Sequence, residues 1–176
     1  MDADTARFLR RVLDGQPVAT LATRHRDEPA TSMVPFVLDA DGSFLIHVSA
    51  LAPHTADMRT HPRVSLLVMA AVRGDADGVA EGRLCLALGG EPIAVQALPR
   101  LSFQADAVFM PADDAALPVA RARYLARFPQ AAQTFALADF QLVRLNPASA
   151  RLVAGFGRAH ALVGEALRAW LQAPAA

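Results

Sequence analysis

The sequence predicts a mainly β, α+β fold: a small antiparallel barrel or Greek-key sheet with helices at its margins. Three observations lead there. Short β-type runs follow one another through turn signals, at Val18–Thr23, Ala30–Leu38, Ser43–Ser49 and Val64–Val72. Helical periodicity is confined to the two ends and to a stretch near residues 119–128. No Gly-rich phosphate loop opens a helix, since Gly155-Phe156-Gly157 is not a GxGxxG, and this argues against a doubly wound α/β sheet.

Bulk composition narrows the function classes. The chain has 176 residues, 53% hydrophobic and 19% charged, which suits one globular domain over 1–176. Seventeen positive charges balance seventeen negative ones, and all the positive ones are arginine. No net field draws the chain to nucleic acid or to an anionic membrane. A single cysteine, Cys85, excludes an internal disulfide and a CxxC site. The N-terminal MDADTARFLRR carries no apolar leader and no apolar run reaches spanning length, so a cytoplasmic protein is expected.

In order, residues 4–14 place Phe8, Leu9, Val12 and Leu13 on one helical stripe, with Asp4 or Thr5 as N-cap and Gly15 as stop. Val18–Thr23 is a strand and Arg24–Pro29 a turn. Ala30–Leu38 is a strand interrupted by Pro35, which has no N–H for a ladder and marks an edge, a bulge or a ligand position. Asp39-Ala40-Asp41-Gly42 is a hairpin turn into Ser43–Ser49. A short helix covers Pro53–Thr60, and Val64–Val72 is apolar enough to be buried on both faces. Residues 73–92 read as an inserted hairpin or flap. Leu101–Met110 is a fifth strand and Pro111–Pro118 a loop. Val119–Phe128 is a helix with Tyr124 and Leu125 inward, and Pro129 opens another helical turn. Asp139–Leu145 is a strand, Asn146-Pro147 turns the chain, and Ala150–Val153 returns, which would put Arg144 and Arg151 on facing strands. After the 155–157 bend and Ala159–Val163, residues 164–176 form a helix and tail, with Leu167, Trp170 and Leu171 on one side.

The functional lead is Phe44–Met69. A strand ending in Ser49, followed by a helix opened by Pro53, His54 and Thr55, brings hydroxyls, an imidazole and free backbone N–H groups to one spot, which suits a phosphate. His54, Asp57 and His61 fall at i, i+3 and i+7, but Pro62 stops the helix and no metal site is read from them. No serine has an elbow motif or a His-Asp relay, so no hydrolase is read either.

Taken together, VATLATRHRDEPATSMVPFVLDADGSFLIHVSALAPHTADMRTHPRVSLLV, PRLSF, ARARYLARFP and DFQLVRLNPASARLVAGFGRA resemble the pyridoxamine 5'-phosphate oxidase-like flavin-binding split-barrel proteins, and within them the branch that includes haem-utilisation proteins. The resemblance implies a six-stranded antiparallel split barrel, a homodimer, and FMN in a groove between subunits. It places Ser32, Met33, Val34 and Pro35 along the flavin, Val48 and Ser49 at the strand end facing the phosphate, His54 and Thr55 where the oxidases have an Arg-Lys pair, and Arg100 reaching the cofactor from the next strand. Asp57 stands where the branch has Asn, adding a negative charge near a phosphate.

Three readings follow from the resemblance. The first is an FMN-dependent oxidoreductase, for which no catalytic residue and no substrate can be assigned. The second is a flavin or haem carrier or sensor. The third is a haem-binding or haem-degrading protein, for which Asp139 matches the acidic residue that supports the iron ligand from the partner subunit, whereas the C-terminal histidine ligand of those relatives is missing, His160 being the last histidine.

Overall fold

The computed structural model describes residues 1–70, 87–88, 91–92 and 94–174. The chain runs α1 (Ala3–Gly15), β1 (Val18–His25), β2 (Glu28–Pro35), β3 (Val37–Leu38), β4 (Phe44–Ser49), α2 (Pro53–Thr60), β5 (Arg63–Met69), β6 (Ala87–Leu88), β7 (Glu91–Pro92), β8 (Arg100–Phe109), α3 (Leu117–Arg127), β9 (Phe140–Val153), β10 (Ala159–Val163) and α4 (Gly164–Gln172). Short 3-10 turns cover Val95–Ala97, Pro129–Ala132 and Thr134–Ala136.

The main sheet is antiparallel in the order β2-β1-β5-β8-β9-β4-β3, with β10 added to β9. Only Phe36 separates β2 from β3, so one stretch of chain pairs with β1 first and with β4 afterwards, and that exchange closes the sheet. Counting β2 and β3 as one, six strands form the barrel and the expected class holds. Pro35 sits at the exchange point, where a residue without an N–H costs no ladder bond.

Inward residues alternate as a half-buried strand requires: Val64, Leu66 and Val68 on β5, and Leu101, Phe103, Ala105 and Ala107 on β8. Phe36, Phe44 and Phe103 meet edge-on at the centre, with ring centroids 5.7 and 4.8 Å apart. α1 and α4 close one end with Leu9, Leu13, Leu167, Trp170 and Leu171. Arg10 ties these helices together, its Nη1 donating to the carbonyls of Trp170 and Leu171 (3.3 and 3.0 Å) at the negative end of α4. Gly42, at φ 84, lies under α4, where a Cβ would come within 3.1 Å of the Leu171 Cβ.

Several expectations are corrected. The N-cap of α1 is Asp2, whose carboxylate accepts from Thr5 N at 2.8 Å, ahead of both Asp4 and Thr5. The Arg24–Pro29 turn shrinks to Arg26-Asp27, both left-handed (φ 48 and 69), the two-residue hairpin geometry that matches strand twist. The strand after Pro62 is not buried on both faces, for Arg63, Ser65, Leu67 and Met69 face outward. Instead β4 is covered on both faces, because α3 packs Ala120 and Tyr124 over Val37, Leu45 and Leu142.

Asn146-Pro147 does not turn the chain. β9 continues past it, and the register against β8 slips by one residue between Gln104–Ser149 and Ala105–Pro147, which leaves Ala148 as a bulge. Arg144 and Arg151 therefore share a strand; Arg144 pairs with Asp39 (3.2 Å) and Asp41 rather than with Asp139. Of the 73–92 hairpin, the pairing of Ala87–Leu88 with Glu91–Pro92 is described, and the rest, with Cys85 and the Ala71-Val72 end of the predicted strand, lies outside the described residues. Among the described residues no helix is long and apolar enough to cross a membrane.

Candidate functional site: the β4–α2 junction

β4 is pinned between β3 and β9, so its last residue has a fixed position, and Ser49 faces Phe140 at the start of β9. The Ser49 Oγ donates to Asp139 Oδ2 at 2.6 Å and accepts from Leu51 N at 3.1 Å. Ala50 N donates to the Asp139 carbonyl at 2.6 Å, so Asp139 is held by both its backbone and its side chain. Thr55, only 1% exposed, donates its hydroxyl to the Ser49 carbonyl at 2.7 Å. Pro53 starts α2 without a side-chain cap. His54 is half-buried, and burial lowers its pKa against the opposing pull of Asp57, so a neutral imidazole sits at the junction near pH 7.

Asp57 points away from the junction. It is 6% exposed and accepts from Thr23 Oγ1 at 2.8 Å and from His25 Nδ1 at 2.7 Å, side chains two apart on β1 and hence on one face. Burial alone would raise this carboxyl; the hydrogen bonds from His25 and Thr23 and the charges of His25 and His54 outweigh it and hold the pKa below the usual range. The acid replacing the branch's Asn is thus committed to β1, not to a phosphate.

The residues predicted to hold FMN fall into three groups. Val48, Ser49, His54 and Thr55 come together at the junction, with Val48 in the core. Ser32, Met33, Val34 and Pro35 run along β2 at the end of the sheet, Val34 inward and Met33 67% exposed. Arg100 faces Val153, at the opposite end of β9 from Ser49, and donates to the Leu98 carbonyl at 3.1 Å. Within one chain this set does not fit an FMN phosphate at the junction: the hydroxyls of Ser49 and Thr55 are spent internally, the set's only cation is elsewhere, and a carboxylate already occupies Ser49.

Sequence reasoning missed the Thr23–His25–Asp57 cluster and the Ser49–Asp139 link. A signal existed for the first, since Thr23 and His25 share strand parity; the second joins residues ninety apart and had none.

A profile of the pyridoxamine 5'-phosphate oxidase family matches residues 6–154, and the chain belongs to that family. It is 32% identical over 160 residues to the chloroplastic non-canonical heme oxygenase HOZ of Arabidopsis thaliana, covering 89% of this chain and 42% of that protein. A heme binding protein from Mycobacterium smegmatis superposes with TM-score 0.74 at 26% identity, over 96% of this chain and 62% of that one. HutZ, the heme storage protein of Vibrio cholerae, shares the fold at 24% identity and TM-score 0.61, over 82% and 89% of the two chains. The chain thus spans less than two thirds of the first two relatives.

Replacing Asp57 by Ala is expected to cost about 2 kcal/mol at pH 7, as loss of hydrogen bonds to a buried charge does. Because the folded pKa lies below the unfolded 3.8, this contribution is present above that value and fades as pH falls through the folded one. Urea unfolding of both proteins from pH 7 to pH 3 checks it; a gap that does not narrow on acidification would contradict the charged pairing.

Proposed function

We propose that this chain is a haem-binding split barrel of its family, with haem held at the β4–α2 junction. The observation that carries the reading is Asp139, the residue at the acidic position of the haem-utilisation relatives, fixed through Ser49 and Ala50 before any ligand arrives. Haem suits the donor set better than FMN does: a ligating imidazole must be neutral, and His54 is kept so by burial. Bound haem would bring redox-active iron, while His54, Asp139 and Ser49 would hold and orient it. The 32% identity to a heme oxygenase supports haem as the ligand class and leaves storage and oxidative breakdown as the two uses to separate.

Haemin titration should give a Soret band that saturates at one equivalent per chain, and His54→Ala or Asp139→Asn should weaken binding about tenfold or more, the scale of a lost charge-assisted bond. Unchanged affinity in both variants would place the ligand elsewhere.

The same reading includes a homodimer. Val18, Met33 and Met69 are 39%, 67% and 47% exposed on the outer face of β1, β2 and β5, where Leu67 also faces out and the described residues provide no cover. A second copy would bury this row. Light scattering should report a dimer for the unaltered protein and a monomer for Met33→Arg with Leu67→Arg; a monomeric unaltered protein would refute it.

A further inference from the structure

A second feature lies beside the junction and shares only Asp139 with the residues named above for a cofactor. Between the Pro129–Ala136 turns, α3 and the start of β9 is a cavity of about 420 Å³, bordered by His47, Arg59, Met110, Arg121, Phe135 and Asp139. Its size is that of a site for a small organic ligand.

The walls combine two guanidinium groups with aromatic rings. Arg59 enters from α2, its guanidinium 4.2 Å from the Phe109 ring centroid and donating to Gln141 Oε1. Arg121 enters from α3 over Phe135, at 4.9 Å. Neither has a carboxylate partner among the described residues, whereas Arg10, Arg63, Arg123 and Arg144 each do. The one acid on the rim, Asp139, accepts from Ser49.

The floor is His47, stacked on Phe135 with centroids 3.8 Å apart and planes 10° from parallel. Thr134 donates its hydroxyl to the Ala131 carbonyl at 2.9 Å, so its oxygen can only accept from His47 Nδ1 at 3.3 Å. Nε2 is then a bare acceptor, and it is buried without a partner among the described residues. Burial and the neighbouring charge of Arg121 push this imidazole down to about 4, so at neutral pH it adds no third positive charge.

We infer that this cavity binds a planar, ring-bearing organic carboxylate, its anion taken by Arg121 and Arg59 and its ring laid against Phe140 and Met110. A planar guanidinium takes a carboxylate through two parallel N–H bonds, and a partly dry aromatic wall strengthens such a pair and favours a flat apolar body. A bare phosphate would offer charge without filling the apolar wall, and would meet Asp139 with more negative charge. The carboxylate could come from a separate small aromatic acid or from an edge of a tetrapyrrole, and the inference does not rest on the haem reading.

The test is calorimetric titration of the unaltered protein with 2-naphthoate, 2-naphthamide and inorganic phosphate. The acid should bind at least about tenfold more tightly than either comparison, and Arg121→Gln and Arg59→Gln should each weaken the acid by about tenfold while Arg11→Gln, on exposed α1 surface, leaves it unchanged. No detectable naphthoate binding, equal binding of acid and amide, or cavity variants that bind like the unaltered protein would overturn the inference. The acid–amide comparison needs no mutation, so a misfolded variant cannot decide the matter. Once naphthoate binding is established, its displacement by haemin supports the site with a tetrapyrrole edge as the source of the carboxylate, and simultaneous binding supports it with a separate acid.

Discussion

The structure depends on β9 serving three neighbours at once. Its fourteen residues pair with β8 along one edge, and along the other with β4 in the first half and β10 in the second. A straight strand of that length could not curve round a six-stranded barrel, and the bulge at Ala148, next to a proline that contributes no N–H, supplies the bend. What lies at each end follows. The first half fixes Ser49 against Phe140 and presents Asp139; the second leads through the Gly155–Gly157 bend to β10 and to α4, which closes the barrel with Trp170.

The β4–α2 junction is electrostatically finished without a ligand in some respects and unfinished in others. Asp57, Asp139, Ser49 and Thr55 are all engaged by neighbouring groups, which removes the features a phosphate would use. His54 retains a neutral imidazole, and the cavity on the other side of Asp139 retains two cations without acidic partners among the described residues. Fold membership alone would suggest a flavin; the local distribution of free donors and acceptors favours a different ligand.

Sequence made legible those parts governed by local chemistry. Pro53 at the first helical turn and Pro62 after the last bounded α2, and the spacing of Leu167, Trp170 and Leu171 marked the buried side of α4. It misled where a distant partner overruled a local signal. Asn146-Pro147 has the composition of a turn, yet pairing with β8 on both sides keeps it extended. The run Val64–Val72 is more apolar than β4, but of the two only β4 has a helix laid on its outer face. At the site, Ser49, His54 and Thr55 were found because they are close in sequence. Arg59 and Arg121 were not, because in a chain whose cations are all arginine no single one stands out until the fold brings two to one cavity.

The proposed role of the junction is selection of haem over FMN. It is tested most directly by exposing the purified protein to equimolar haemin and FMN, separating free ligand by gel filtration, and recording the absorbance of the protein fraction. A retained Soret band without the paired flavin bands is expected. Flavin bands without a Soret band would contradict it.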